Sequence, residues 1–449
     1  MLKASKFNVE ISDFPTQDEF LIFNTFSDSR VVVNQELKGL IDDINNRLTF
    51  TREEQEHLDT LSDLGIVVDE AVDEDRELEY WFQKRKFNTE VLDLTVLTTS
   101  ACNLGCSYCF EDGINLKGFM KEDVCQRFLL WADQKMAAVR PRILHLMLFG
   151  GEPLLNPKAV RFLSRALYDM TRARGIKLEI SIITNGVLLD EGLVDELLPL
   201  GLKRIKVTLD GDEAAHDSKR HYKNGKGSYR TIMKNLVAVK GKAPISIGGN
   251  FDETTKDSIP RFLDELVALG FTPQDIQDIS FKPILTPTNE LKIVNNTLNN
   301  AIDSGHTCTF SDMEVAEILW LRNEVEKRGF QNKTDGITLG PCCATHEQTF
   351  VIDPWGKIYK CVALVGREQY ITGDLYDEEE NYQNTRFMTV DLWADPYCQD
   401  CAYRPLCGGG CRGSSVTQSG SFEEVACEKP YFENVAMELV KKEYLQTVA

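Results

Sequence analysis

The chain reads as an α/β protein: a partial (β/α)6 barrel, preceded by a small α+β unit and followed by a cysteine-rich segment. Three observations predict this. Six apolar, β-rich runs recur at 92–98, 144–149, 178–183, 204–209, 244–248 and 278–284, with amphipathic helical patterns between them. Repeats of that kind imply a parallel sheet with right-handed crossovers. Before residue 80 the rhythm differs, with two short strands and then helices, and eight of the 13 cysteines fall between Cys342 and Cys427.

In order along the chain, Phe20 to Phe26 predicts a strand and Ser27-Asp28-Ser29 a turn, with Arg30 to Asn34 returning as a second strand. Leu37, Leu40, Ile41 and Ile44 recur at helical spacing. Thr51 with Glu54 forms a capping box before Leu58 and Leu61, and Gly65 ends that helix. These elements make a winged-helix-like unit over residues 1–80, with Phe20 to Phe26 as an edge strand and the acidic stretch Asp69 to Glu79 as a linker.

The barrel is expected over residues 88–285. Val160, Leu163, Leu167 and Met170, closed by Gly175, mark one of its helices; Ile259, Phe262, Leu263 and Leu266, closed by Gly270, mark another. Such folds place their active sites at the C-terminal ends of the strands. Polar or glycine-rich motifs stand there: Thr98-Thr99-Ser100-Ala101-Cys102, Gly150-Gly151-Glu152-Pro153, Thr184-Asn185-Gly186, Asp210-Gly211 and Asn250. A helical bridge is expected over 286–340. The segment 341–449 carries the cysteines and a hairpin from Gln348 to Cys361 turning at Pro354-Trp355-Gly356.

Composition narrows the function classes. At 449 residues, 42% hydrophobic and 27% charged, the chain can form two or three globular domains. No run of 18 apolar residues predicts a membrane span. Met1 to Lys6 lacks a secretory signal's apolar stretch, so the expected address is the cytoplasm. The net charge of 50 − 70 = −20 argues against a nucleic-acid substrate, and Lys203-Arg204-Ile205-Lys206 is read as solvated charge. Disulfides do not persist in the cytoplasm, so clustered cysteines point to metal ligation. Cys125 and Cys308 stand alone and read as small buried apolar residues.

Cys102, Cys106 and Cys109 have the spacing C-x3-C-x2-C directly after the first barrel strand. Three thiolates are one short of the four a 4Fe–4S cluster takes, which leaves one iron open. Zinc also binds thiolates and stays an alternative here, although no fourth ligand follows nearby. The spacing, with Tyr108 just before the last cysteine, resembles the signature of the radical S-adenosylmethionine (SAM) superfamily. The resemblance implies that SAM chelates the open iron and is cleaved reductively to methionine and a 5′-deoxyadenosyl radical. Gly150-Gly151-Glu152-Pro153 resembles the family's second motif and Thr184-Asn185-Gly186 its ribose-proximal turn. Thr208-Leu209-Asp210-Gly211 followed by His216-Asp217-Ser218-Lys219-Arg220 is similar to a segment of one branch. By that resemblance the SAM contacts are Tyr108, Gly150, Gly151, Glu152, Thr184, Asn185, Asp210 and Arg220. Asp210 would lie near the ribose and Arg220 would pair with the SAM carboxylate. Helix capping is the other reading of Asp210, and His216 is read as structural.

The C-terminal cysteines resemble the seven-cysteine SPASM extension, which holds two auxiliary 4Fe–4S clusters, so three clusters are expected in all. The resemblance gives Cys398, Cys401, Cys407 and Cys427 to an outer cluster and Cys343, Cys361 and Cys411 to an inner one. Cys342 is either a fourth inner ligand or extra, with the site left open for substrate. Cys398-x2-Cys401 is also a zinc-knuckle spacing, so a zinc-stabilised domain is the alternative. The N-terminal unit resembles elements that recognise leader peptides; its alternative is a structural cap on the barrel. The expected function is a peptide maturase that crosslinks a ribosomally made precursor, with a reductant such as flavodoxin or ferredoxin as partner. The runner-up is an anaerobic sulfatase-maturating enzyme oxidising Cys or Ser to formylglycine. A non-catalytic iron–sulfur or zinc scaffold for peptides is the reading from another class. No catalytic base is assigned; Asp278 and Lys282 are the groups considered.

Overall fold

The structure is a computed structural model that describes residues 1–109, 117–284, 312–332, 340–377, 381–393 and 395–448. Cys308 and most of the expected helical bridge lie outside the described residues.

The first unit runs β1 (Leu2–Ala4), β2 (Asn8–Ser12), β3 (Glu19–Asn24), β4 (Ser29–Asn34), α1 (Gln35–Asp42), α2 (Arg52–Asp63), β5 (Val67–Asp69) and α3 (Glu74–Lys86). The capping box at Thr51 forms as expected: the Thr51 hydroxyl accepts the Glu54 N–H at 3.2 Å, and the Glu54 carboxylate accepts the Thr51 N–H at 2.7 Å. Two expectations are corrected. The strand read as an edge is the middle one, because β2 pairs along its other side to give the order β2-β3-β4. Its apolar run Phe20-Leu21-Ile22-Phe23 serves two faces, as in a strand covered on both sides. Ile22 packs with Val33, Leu40, Leu58 and Leu61, whereas Leu21 and Phe23 pack on Tyr403, Leu406 and Phe432 of the cysteine-rich segment. The acidic stretch is not a linker. Asp73 caps α3, and Glu74, Asp75 and Glu77 lie in its first turn, where carboxylates complement the helix dipole.

All six predicted barrel strands are present: β6 (Val91–Thr99), β7 (Ile143–Gly150), β8 (Lys177–Thr184), β9 (Leu202–Thr208), β10 (Ile245–Phe251) and β11 (Ile276–Pro283). Each is parallel to the next. The helices between them are α4 (Glu122–Val139), α5 (Pro157–Arg174), α6 (Glu191–Leu197), α7 (Glu213–Lys219), α8 (Tyr229–Val239) and α9 (Ile259–Ala268). Gly175 ends α5 in the left-handed conformation expected of it. The helix layer and the strands share one core, in which Leu92, Leu94 and Val96 of β6 meet Val160, Leu163 and Leu167 of α5. The pleat also explains the basic run in β9. Residues two apart share a face, and on that face Lys206 is buried and Arg204 meets Ser246 at 2.9 Å and Asp278, while Lys203 on the other face is exposed. Only Lys203 of this run is solvated as expected.

After α10 (Asp312–Lys327), β12 (Thr349–Ile352) and β13 (Lys357–Tyr359) form the expected hairpin. Unforeseen by sequence, β12 pairs parallel with β6, from Thr349 opposite Asp93 to Ile352 opposite Val96. The barrel sheet therefore continues through β13 and β14 (Gly373–Asp374), and β11 ends it on the other side. Helices α11 (Tyr382–Thr389), α12 (Pro396–Gln399), α13 (Arg404–Cys407), α14 (Arg412–Ser419), α15 (Lys429–Tyr431) and α16 (Met437–Val448) complete the chain.

Close approach within the sheet depends on Gly249. A Cβ there would stand 2.1 Å from the Leu209 carbonyl and 2.7 Å from the Phe281 ring. Gly249→Ala is expected to destabilise the fold by about 1–3 kcal/mol, the usual cost of overpacking, measured by chemical denaturation.

Candidate functional site

The C-terminal ends of the barrel strands gather the nominated residues. β6 ends at Thr99 and delivers Cys102, Cys106 and Cys109, all half-buried. Their loop is strapped to the segment after α7: the Gly105 N–H donates to the His221 carbonyl at 2.9 Å and Ser107 N–H to that of Lys219 at 3.1 Å. Burial raises the Cys102 thiol to about 11, with Glu152 and Cys106 adding to the effect.

The turn after β7 lies against this loop. Gly150 has φ +136°, and a Cβ on it would stand 2.1 Å from the Thr99 carbonyl; one on Gly151 would stand 2.5 Å from that of Ala101. Here the glycines let backbone pack on backbone. Glu152 is fully buried with both oxygens engaged. One accepts the Thr184 hydroxyl at 2.7 Å and the Leu154 N–H at 3.0 Å; the other accepts the Asn185 N–H at 2.7 Å. Glu152 thus ties the turn after β7 to the turn after β8. Asn185 carries the tie onward, its amide donating to Asn103 Oδ1 at 2.7 Å and to the Cys102 sulfur at 3.7 Å.

A second network crosses the opening. Asp210, fully buried after β9, accepts the Tyr108 hydroxyl on one oxygen and the Asn250 N–H at 2.8 Å on the other. The helix-capping reading of Asp210 does not hold, because Asp212 caps α7. The Tyr108 oxygen also accepts Arg220 at 2.7 Å and the Asn250 amide at 3.2 Å. Burial disfavours the Arg220 charge, but Cys106, Tyr108 and Asp210 around it hold the guanidinium firmly protonated. His216 is structural as expected, its two ring nitrogens meeting the Asp210 N–H at 3.3 Å and the Ser228 hydroxyl at 2.9 Å. Asn250 was legible as a strand-end polar residue but not as a member of this network.

The residues fit the group that the motif implies. Arg220 is 9% exposed, yet its Nε has no hydrogen-bond partner, a buried donor suited to an anionic group. Beside it stand three thiols, one short of a complete cluster ligand set. Cys102, Cys106 and Cys109 would hold the cluster, and Arg220 with Asn250 would face its organic ligand.

The C-terminal cysteines form two groups. Burial pushes Cys398 up to about 11, with Cys401 and Cys427 nearby, and raises Cys407 with Cys427 and Cys398 beside it. Cys343 is raised by a hydrogen bond with Cys342 and by burial, with Cys361 close; burial lifts Cys361 to about 12, with Cys342 adding to it. A thiol must lose its proton to ligate a metal, so binding at either group would release protons. Among the described residues, no three His, Cys, Asp or Glu side chains converge on one point as a single ion requires. Cys342 and Cys361 also pack in one apolar cluster with Leu97 of β6 and Phe149 of β7, so the inner group faces the barrel's motif-bearing end.

Buried cations secure these loops. Lys360, 1% exposed, donates to the carbonyls of His346, Glu347 and Thr349 at 3.0–3.1 Å. Arg412, fully buried, donates to the carbonyls of Gly409, Gly410, Phe422 and Glu424 and so folds the glycines between Cys407 and Cys411. Arg412→Met is expected to lose C-terminal iron and to destabilise the protein, at about 1–3 kcal/mol for a buried polar group left unsatisfied; iron analysis with denaturation checks both. Asp278 accepts the Ser246 hydroxyl at 2.6 Å and lies 3.6 Å from Arg204, within the β9–β11 framework.

A family model for the radical SAM superfamily matches residues 96–270, which include the cysteine loop and every strand-end motif described above. Over that part of the chain the match is to the radical SAM superfamily. Two relatives of the chain are informative. A cysteine-type anaerobic sulfatase-maturating enzyme of Clostridium novyi (strain NT) is 26% identical, covering 75% of this chain and 92% of the relative. A PqqA peptide cyclase of Granulibacter bethesdensis is 22% identical, covering 72% of this chain and 83% of the relative. The crystal structure of Streptococcus suis SuiB bound to precursor peptide SuiA has the same fold, with a TM-score of 0.53 at 12% identity over 95% of this chain and 99% of that one. Among the described residues no helix is long and apolar enough to cross a membrane.

Proposed function

We propose that the chain is a radical SAM maturase that crosslinks a peptide, with Cys102, Cys106 and Cys109 holding the SAM-cleaving cluster. The cluster and SAM, when bound, supply a 5′-deoxyadenosyl radical able to take hydrogen from an unactivated carbon. The chain's own part is to position and enclose. Glu152 and Asn185 brace the cysteine loop, and Tyr108, Asp210 and Asn250 fix the direction of Arg220. One observation carries the reading: the inner cysteine group packs with Leu97 and Phe149 at the same end of the barrel as the three-thiol loop. A peptide held there would lie between a radical source and an electron acceptor. A carbon–carbon or thioether crosslink removes two hydrogens, one as an atom and one as a proton with an electron, so an oxidant near the substrate is required. The auxiliary clusters of the two cysteine groups are assigned that task.

In this reading residues 1–80 recognise the precursor, 88–285 form the radical SAM core, 286–340 bridge to it, and 341–449 form the SPASM domain. Strand addition would use β2 or β4, the outer strands of the first sheet, rather than β3. A reductant of the flavodoxin or ferredoxin class would supply the electron for SAM cleavage.

The sulfatase-maturating relative supports a second reading, oxidation of Cys or Ser to formylglycine. Mass spectrometry separates the two. Anaerobically reconstituted protein with SAM, dithionite and a precursor peptide is expected to release 5′-deoxyadenosine and give a product that has lost two hydrogens and resists aldehyde reagents. A hydrazide-reactive product would replace this reading with the second. No 5′-deoxyadenosine from fully loaded protein would leave only the scaffold reading.

A further inference from the structure

Glu428 follows the last cysteine of the outer group, and its side chain lies between the two groups, beside Cys407 of the outer and Cys342 of the inner. Its backbone is fixed where α15 begins, the carbonyl accepting the N–H groups of Tyr431 at 3.0 Å and Phe432 at 3.2 Å. The residue is 5% exposed. Its carboxyl group accepts the backbone N–H of Cys411 and faces Cys342, Arg412 and Lys282. Its Oε1 has no hydrogen-bond partner. A buried carboxyl oxygen left without a partner is costly, so such an atom implies an unseen proton donor or cation.

The neighbours narrow the choice. Arg412 gives its donors to the carbonyls of Gly409, Gly410, Phe422 and Glu424. Of the two cysteine groups beside Glu428, the outer one already has four sulfurs in Cys398, Cys401, Cys407 and Cys427, so the inner one is the site with room for a further ligand. Cys343, Cys361 and Cys411 leave one corner of a cubane to be filled. Cys342 fills it poorly, because its sulfur shares a hydrogen bond with that of Cys343. Outer ligands on neighbouring irons point away from each other, so both sulfurs could serve one cluster only after parting.

We propose that Glu428 supplies a carboxylate oxygen to the inner iron–sulfur site, filling the position that Cys343, Cys361 and Cys411 leave vacant. The proposal rests on the auxiliary-cluster reading above. Ligation forms an iron–oxygen bond without any change in oxidation state, and any proton on the carboxyl group leaves to solvent. Thiolates are the better matched donors for iron–sulfur clusters, so this corner is the weakest held. It is the one a substrate sulfur or oxygen would displace, beside Lys282 on β11.

The test uses the full chain with Cys102, Cys106 and Cys109 replaced by alanine, so that only C-terminal iron remains. This parent is expected to hold about eight irons. Glu428→Gln is expected to fall to about seven, with a three-iron signal in its EPR spectrum, while the outer four irons stay as the control for folding. Glu428→Cys is expected to return to about eight with an altered Mössbauer spectrum, and Cys342→Ser to leave about eight unchanged. Should Glu428→Gln prove unfolded, the Glu428→Cys spectrum decides. A cysteine variant identical to its parent means that residue 428 is not a ligand. Unchanged iron and spectra in Glu428→Gln, or loss of the iron in Cys342→Ser instead, overturns the proposal. A parent without C-terminal iron overturns the auxiliary-cluster reading itself, before any change at Glu428 is made.

Discussion

Replacing Cys102, Cys106 or Cys109 singly with alanine is expected to reduce 5′-deoxyadenosine release to background, while the C-terminal iron stays in place. The loop offers three sulfurs to a cluster that takes four ligands, one of which must come from SAM. With two sulfurs the cluster loses its hold on the chain, and among the described residues nothing nearby substitutes. The neighbouring acceptors are committed elsewhere: Glu152 to Thr184, Leu154 and Asn185, and Asp210 to Tyr108 and Asn250. The C-terminal groups stand on other elements and other loops, so their iron is independent. Iron analysis should fall from about twelve per chain to about eight, and the thermal unfolding of the barrel should change little.

Glu152→Ala is expected to be the most damaging change outside the cysteines. Three buried donors, the Thr184 hydroxyl and the N–H groups of Leu154 and Asn185, lose their acceptor together. At about 1–3 kcal/mol for each unsatisfied group, with partial relaxation, the loss is on the order of 3–5 kcal/mol. Asn185 is then no longer held against Asn103 and Cys102, so SAM affinity should fall with stability. Glu152→Gln separates the two effects. A glutamine oxygen can keep Thr184 and Leu154, but its NH2 would face the Asn185 N–H, donor against donor. That variant should lose about 1–3 kcal/mol and still bind SAM weakly. Denaturation curves and equilibrium dialysis measure the two quantities. Equal loss in both variants would show that the carboxylate charge matters rather than its geometry.

The barrel was legible because each strand is an apolar run and some helices close on a glycine; Gly175 ends α5 in the conformation predicted for it. The strand-end motifs were legible for a related reason, since polar residues stand out where an apolar run stops. What escaped notice involved long-range pairing or a shared sequence signature. Asn8–Ser12 alternates weakly over five residues, so the strand that makes β3 central left little trace. Charge alone did not distinguish a linker from the first turn of α3, where the same carboxylates serve the helix dipole. The pairing of β12 with β6 joins residues more than 250 positions apart (349 − 93 = 256) and has no local signal. Glu428 sat beside a cysteine that already had a role, and only the fold shows that its side chain reaches between the two groups with one oxygen unpartnered.

The central claim is that the three-thiol loop leaves one iron for SAM to occupy. EPR of the dithionite-reduced protein, recorded with and without SAM in the variant lacking the C-terminal cysteines, tests it most directly. The account predicts a shifted cluster signal on adding SAM, and hyperfine coupling to isotopically labelled SAM amino nitrogen or carboxylate. An identical spectrum with saturating SAM, from protein holding about four irons, would contradict it.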